Sequence, residues 1–147
     1  MSEQELKEAV KVLKKESESI DRAASQLGKN FSQALDILFK PKNKIIVCGI
    51  GKSGLLGKKL AATFCSTGSP ASFLHASEAV HGDLGIHQSG DPVIFLSNSA
   101  STPELLFLEP IFRKRKGKIV GIMGNADGPL IKKVDVFLNS SVLSEAD

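Results

Sequence analysis

The sequence predicts a three-layer α/β sandwich on a parallel β-sheet, and three observations predict it. Short apolar runs, among them IIVCG, VIFLS and IVGIM, recur along the chain. Stretches of helical periodicity separate them. The runs are continuously apolar rather than alternating, as expected of strands covered on both faces by right-handed crossover helices. At 147 residues the chain suits one domain that can bury a core without disulfides or a structural metal.

Each element has its own signal. Leu6, Val10, Leu13, Ile20, Ala24 and Leu27 form a stripe among charges, which predicts a helix over 3–27 that Gly28 stops. A second helix is expected over 30–39, with Phe31, Ala34, Leu35 and Leu38 on one face and Pro41 closing it. This front section, 1–43, reads as a helical segment of the same domain, lying on a sheet or on another subunit. A strand at 45–49 then runs into a helix over 53–66, and a second strand occupies 71–74. A short helix over 76–84 precedes the third strand at 93–97. The next helix spans 103–116, with a kink expected at Pro110. The fourth strand is 119–123, followed by at most a short helix at 129–133 and a fifth strand at 134–139.

Composition excludes several classes. The net charge is only +3, and the densest basic run, 113–116 with Lys118, reads as a solvated cap at a helix end. With no Trp or Tyr and its Phe residues in apolar runs, the chain lacks the stacking surface of a nucleic-acid binder. Cys48 and Cys65 fall where small buried residues belong and have no ligand spacing, which suits a reduced, cytoplasmic protein. The charged N-terminus has no apolar signal core, and no segment reaches the ~20 apolar residues that span a bilayer. No membrane association is expected.

In open parallel sheets, ligands bind beyond the carboxyl ends of the strands, where strand order reverses. The unusual polar chemistry of this chain gathers there. After the first strand comes GIGKSG, a glycine turn entering a helix, whose free N–H groups with Lys52 and Ser53 suit an anion. A dinucleotide fold would want an acid where His75 stands, and a Walker A loop would want glycine at Ile46, so neither nucleotide reading holds. A tight turn with a solvated lysine is the plain alternative. After the third strand, Ser97, Ser99, Ser101 and Thr102 precede Pro103, and their hydroxyls and a helix start could hold a phosphate. Simple helix capping is the alternative there.

Three histidines, Glu78 and Asp83 crowd into HASEAVHGDLGIH. His75, His81 and His87 recur every six residues, which puts them on no common helix face and argues against a zinc site. Acid–base work suits His81 better, with Asp83 close enough in sequence to orient it. His87, beyond Gly85, is expected at the surface. Glu104, in the first turn after the serines, could complement the helix dipole or reach the carbons of a sugar whose phosphate sits in the serine nest. Glu145 reads on its own as a solvated tail residue.

GIGKSG, AATFCSTGSPASFLHASEAVHGDLG, SNSASTPELL and GIMGNADGPL, in this order over 45–145, resemble the sugar isomerase (SIS) domain family and its arabinose-5-phosphate isomerase branch. The resemblance implies a five-stranded parallel sheet in flavodoxin-like order, a homotetramer, and interconversion of D-arabinose 5-phosphate and D-ribulose 5-phosphate through a cis-enediol. That step starts Kdo synthesis for lipopolysaccharide. No cofactor is implied. By position, Lys52, Glu104 and Glu145 match catalytic residues. His81 matches a substrate-contacting histidine, a candidate for ring opening or proton transfer. His75 matches a substrate-side histidine able to bind an inhibitory zinc. Gly68 and Ser69 match substrate contacts, and Ser53, Ser97, Ser99, Ser101 and Thr102 would hold the phosphate.

The chain departs from the family in two places. Ala100 replaces a usual glycine in the serine loop, which restricts the backbone if a positive φ is needed. The family also continues into a C-terminal helix with a further active-site histidine, often followed by CBS domains. The SIS portion, 44–147, is therefore expected to be incomplete at its end and without CBS domains. A phosphosugar-binding regulatory module without turnover is the rival reading, and an isomerase of 3-hexulose 6-phosphate a third.

Overall fold

The structure, a computed structural model, describes residues 2–39 and 43–144, so Glu145 lies outside the described residues. Five strands, β1 (Ile45–Gly49), β2 (Ala71–His75), β3 (Val93–Ser97), β4 (Ile119–Met123) and β5 (Val136–Asn139), form one parallel sheet in the order β2-β1-β3-β4-β5. The flavodoxin-like order is thus as expected. The chain steps outward from β1 to β2 and then crosses back to β3, so the order reverses between β1 and β3. That reversal opens a crevice beyond their carboxyl ends.

Helices cover both faces, which explains why the strands are apolar without alternation. On one face Ile46, Cys48 and Phe95 pack with Leu105, Leu108 and Phe112 of α5 (Pro103–Lys114, continuous through Pro110). On the other, Val47, Ile94 and Val120 pack with Ala34 and Leu38 of α2 (Lys29–Phe39) and Ala61 of α3 (Gly51–Ser66). α3 approaches so closely that a Cβ on Gly57 would stand 2.8 Å from the Phe73 ring. Before the sheet comes α1 (Glu3–Ser25), opened by a capping box between Ser2 and Glu5 and without a single buried residue.

Several expectations need correction. The expected 76–84 helix is one turn, α4 (Ala76–Ala79), then a 3-10 turn over Asp83–Ile86. Cys65 is exposed, because the buried face of α3 runs through Gly54, Gly57 and Ala61 and continues at Phe64. Cys48 is buried, and desolvation pushes its thiol up to about 12.

His87 is not at the surface. It is buried, edge-on to Phe112 at 4.9 Å, with Nε2 3.1 Å from the Asp91 carbonyl, and burial lowers its pKa. The basic run is more than a solvated cap. Arg113 pairs with Glu109 and Asp135, and Arg115 Nη1 donates to the carbonyls of Leu84 (2.8 Å) and His87 (2.9 Å). Burial alone would raise the Asp135 carboxyl, but the Ile119 N–H, Arg113 and Lys118 outweigh it and hold it below its usual value.

Candidate active site

The first wall of the crevice is the β1–α3 turn. Ile50 caps α3 without a side-chain hydrogen bond, and the first intrahelical bond closes only at Gly54, whose N–H donates to Ile50 O (3.1 Å). The N–H groups of Gly51, Lys52 and Ser53 therefore open the helix with no partner inside it. Gly51 takes φ +58° to make this turn. The helix starts two residues earlier than predicted, which puts Lys52 and Ser53 inside its first turn, at the positive end of the dipole.

The second wall is the serine loop between β3 and α5. Ser97 Oγ and Thr102 Oγ1 share a hydrogen bond at 2.7 Å, tying the two ends of the loop together. Within it the Ala100 N–H donates to Ser97 Oγ (3.0 Å) and the Ser101 N–H to Ser99 Oγ (3.3 Å). Ala100 is buried at φ +53°, so the loop holds the left-handed backbone that glycine would adopt more readily. Thr102 caps α5, but its side chain makes no bond to the N–H groups of the first turn, leaving that helix start open as well.

Residues after β4 set this loop in place, a role sequence reasoning missed. The Leu130 N–H donates to Ala100 O (3.0 Å) and the Gly124 N–H to Ser97 O (3.3 Å). A Cβ on Gly128 would sit 2.6 Å from Ala100 O, so only glycine lets the two backbones meet this closely. Two glycines four residues apart just past a strand, in GNADG, were the available signal.

The remaining candidates are distributed unevenly. His75 closes β2 directly beside Gly49 of β1, and its Nδ1 is buried without a hydrogen-bond partner among the described residues. Glu104 is half-buried in the first turn of α5 and Lys52 is exposed in that of α3; neither is ion-paired among the described residues. His81, just past α4, is exposed, and no hydrogen bond joins it to Asp83 among the described residues. The loop carrying it is held instead through its downstream carbonyls by Arg115.

Gly68 and Ser69 are not brought to this crevice. They precede β2, at the amino end of the sheet, where the Ser69 N–H donates to Phe64 O (2.8 Å) and both residues border a cleft with Leu38, Phe39 and Asn43. His75 is the last residue of the five-residue β2 that follows them, so at roughly 3.3 Å per residue it lies at the other end of the strand. Among the described residues no three His, Cys, Asp or Glu side chains gather to hold a metal ion. No described helix is long and apolar enough to cross a membrane.

A crevice between two open helix starts at a strand-order reversal can bind a small anion and present a carboxylate, an ammonium and imidazoles to it. The SIS domain profile matches residues 37–146. Arabinose 5-phosphate isomerase KdsD of Pseudomonas aeruginosa is 40% identical over 131 residues, covering 89% of this chain and 40% of that protein. Arabinose 5-phosphate isomerase GutQ of Salmonella typhimurium is 38% identical over 146 residues, 99% of this chain and 46% of its own length. The chain thus spans less than half the length of either curated relative. A structure from E. coli CFT073, solved in complex with arabinose 5-phosphate, superposes with a TM-score of 0.90 at 33% identity and covers all of this chain and 79% of that one. With fold, loop motifs and relatives in agreement, the chain belongs to the SIS domain family.

Proposed function

We propose that this domain interconverts D-arabinose 5-phosphate and D-ribulose 5-phosphate. The observation that carries the reading is the pair of uncapped helix starts facing each other across the β1–β3 crevice, with Glu104 in the first turn of one and Lys52 in that of the other. The names of the curated relatives support the choice of sugar.

The serine loop, with Ser53 opposite, takes the phosphate on hydroxyls and backbone N–H groups. Glu104 removes the proton from C2 of the open-chain aldose, electrons move to form a C1–C2 enediol, and the proton returns to C1 to give the ketose. The electron count on the sugar does not change, so the step itself calls for no redox cofactor. Lys52 stabilises charge developing on the sugar oxygen, and His81 assists ring opening or moves a proton between O1 and O2. His75 and Glu145 complete the sugar side of the site. The same reading places the step at the start of Kdo synthesis and the protein in a homotetramer.

Incubating the chain with D-ribulose 5-phosphate in heavy water tests this directly. The expected result by NMR is D-arabinose 5-phosphate carrying deuterium at C2. Ligand binding with neither product nor exchange would overturn the proposal in favour of a binding module.

A further inference from the structure

α1 runs for 23 residues and buries none of them. One row of it alternates by four and three, Leu6, Val10, Leu13, then Ile20 and Ala24, with Ser17 at the one polar step, while Ala9, Val12 and Ala23 lie off that row. This is the narrow two-in-seven seam of a coiled coil, and its leucine and isoleucine stand open to water, Leu13 65% and Ile20 69% exposed. The seam is not turned toward the rest of its own chain. The positions of α1 that are partly covered, Val12, Lys15 and Ser19, lie on the far side of the helix, where Leu143 and Ser144 approach it.

We propose that this seam pairs with α1 of a second copy, running antiparallel. Two features of the sequence select that partner and that direction. The first is charge. Residues 7–15 carry a net +3 and residues 16–22 a net −2, while Glu3 and Glu5 serve the helix's own start. An antiparallel pair lays the basic block of each helix on the acidic block of the other; a parallel pair lays like on like.

The second feature is size. Antiparallel pairing seats Leu6 against the partner's Ala24, Val10 against the partner's Ile20, and Leu13 against the partner's Ser17. Large side chains then meet small or medium ones in every layer, as close packing requires. A parallel pair would stack Ser17 on its own copy and Ala24 on its own copy, leaving voids in one set of layers and crowding the other. The proposal concerns assembly and stands whether or not the crevice is catalytic.

Crosslinking and mass measurement test it on the whole chain. With Cys65→Ser removing the exposed thiol, Val10→Cys and Ile20→Cys are prepared separately and treated with a short bis-maleimide. Antiparallel pairing gives a crosslinked dimer only when the two variants are mixed, because identical positions are then about 15 Å apart along the seam. Crosslinking within either variant alone, or none in the mixture, overturns it. Leu13→Glu and Ile20→Glu should each lower the particle mass in analytical ultracentrifugation at least two-fold at micromolar concentration. Circular dichroism and the thermal midpoint check that the sheet domain stays folded. Unchanged mass in both would mean that α1 serves another surface, and would also overturn the proposal.

Discussion

At the amino end of the sheet, charged groups are paired. Asp91 is 2% exposed, accepts the Gln88 N–H at 2.8 Å and stands 3.7 Å from Lys44; Asp135 takes the Ile119 N–H, Arg113 and Lys118. At the carboxyl end the same residue types go without charged partners among the described residues. Lys52 and Glu104 have no ion-pair partner among the described residues, and two helix starts lack side-chain caps. Every unsatisfied donor at the crevice is stability forgone and binding capacity held in reserve, whereas the amino end uses the same chemistry to fasten strands. Polar residues in this fold thus divide by sheet end, not by type.

Four substitutions test that division. The largest effect should come from Glu104→Gln, which is expected to lower isomerase turnover by about 10³-fold with little change in thermal midpoint or in affinity for a phosphosugar. A stability loss without a turnover loss would place Glu104 with the structural acids. Asp135→Ala should do the reverse. It strands the Ile119 N–H and removes one of the two carboxylates that Arg113 pairs with, so denaturant titration should show a loss of about 1–2 kcal/mol with turnover retained.

Gly128→Ala sits between the two classes. Its methyl group would press on Ala100 O, so it should cost about 1–3 kcal/mol and also weaken phosphosugar binding several-fold by shifting the serine loop. Calorimetry that finds affinity unchanged would show that the loop keeps its shape without this buttress. The smallest effect belongs to His87, whose pKa the fold lowers. The unfolded chain takes up that proton near pH ~6.5 while the folded chain still resists, so stability is complete above that pH and declines as pH falls toward the lowered value. His87→Gln should flatten the slope of thermal midpoint against pH between about 7 and 5.5; an unaltered slope would assign it to other groups.

Most of the architecture was legible because it is written locally. Runs such as IIVCG and VIFLS announce buried strands, and the strand ends then locate Ser97, Lys52 and Glu104. What escaped depends on contacts distant in sequence. His87 was placed at the surface from the nearby Gly85, but Phe112, twenty-five positions later, closes over it. Arg113 and Arg115 read as generic helix-end charges until their partners on the 84–87 and 133–135 segments are in view. Gly68 and Ser69 were grouped with the site by resemblance, yet chain direction returns them to the amino end of β2. Ala100 is the reverse case: the missing glycine flagged a possible positive φ, and the backbone adopts one.

The two cysteines have a practical consequence. Cys65 stands at the surface with its thiol donating to Ala71 O (3.1 Å), while Cys48 lies in β1, between β2 and β3, with no exposed area and a thiol too basic to ionise at neutral pH. A thiol reagent should therefore label one sulfur at once and the other only when β1 parts from its neighbours. The delay between the two labels is a clock for the opening of the sheet, built into the native chain without a reporter having to be added.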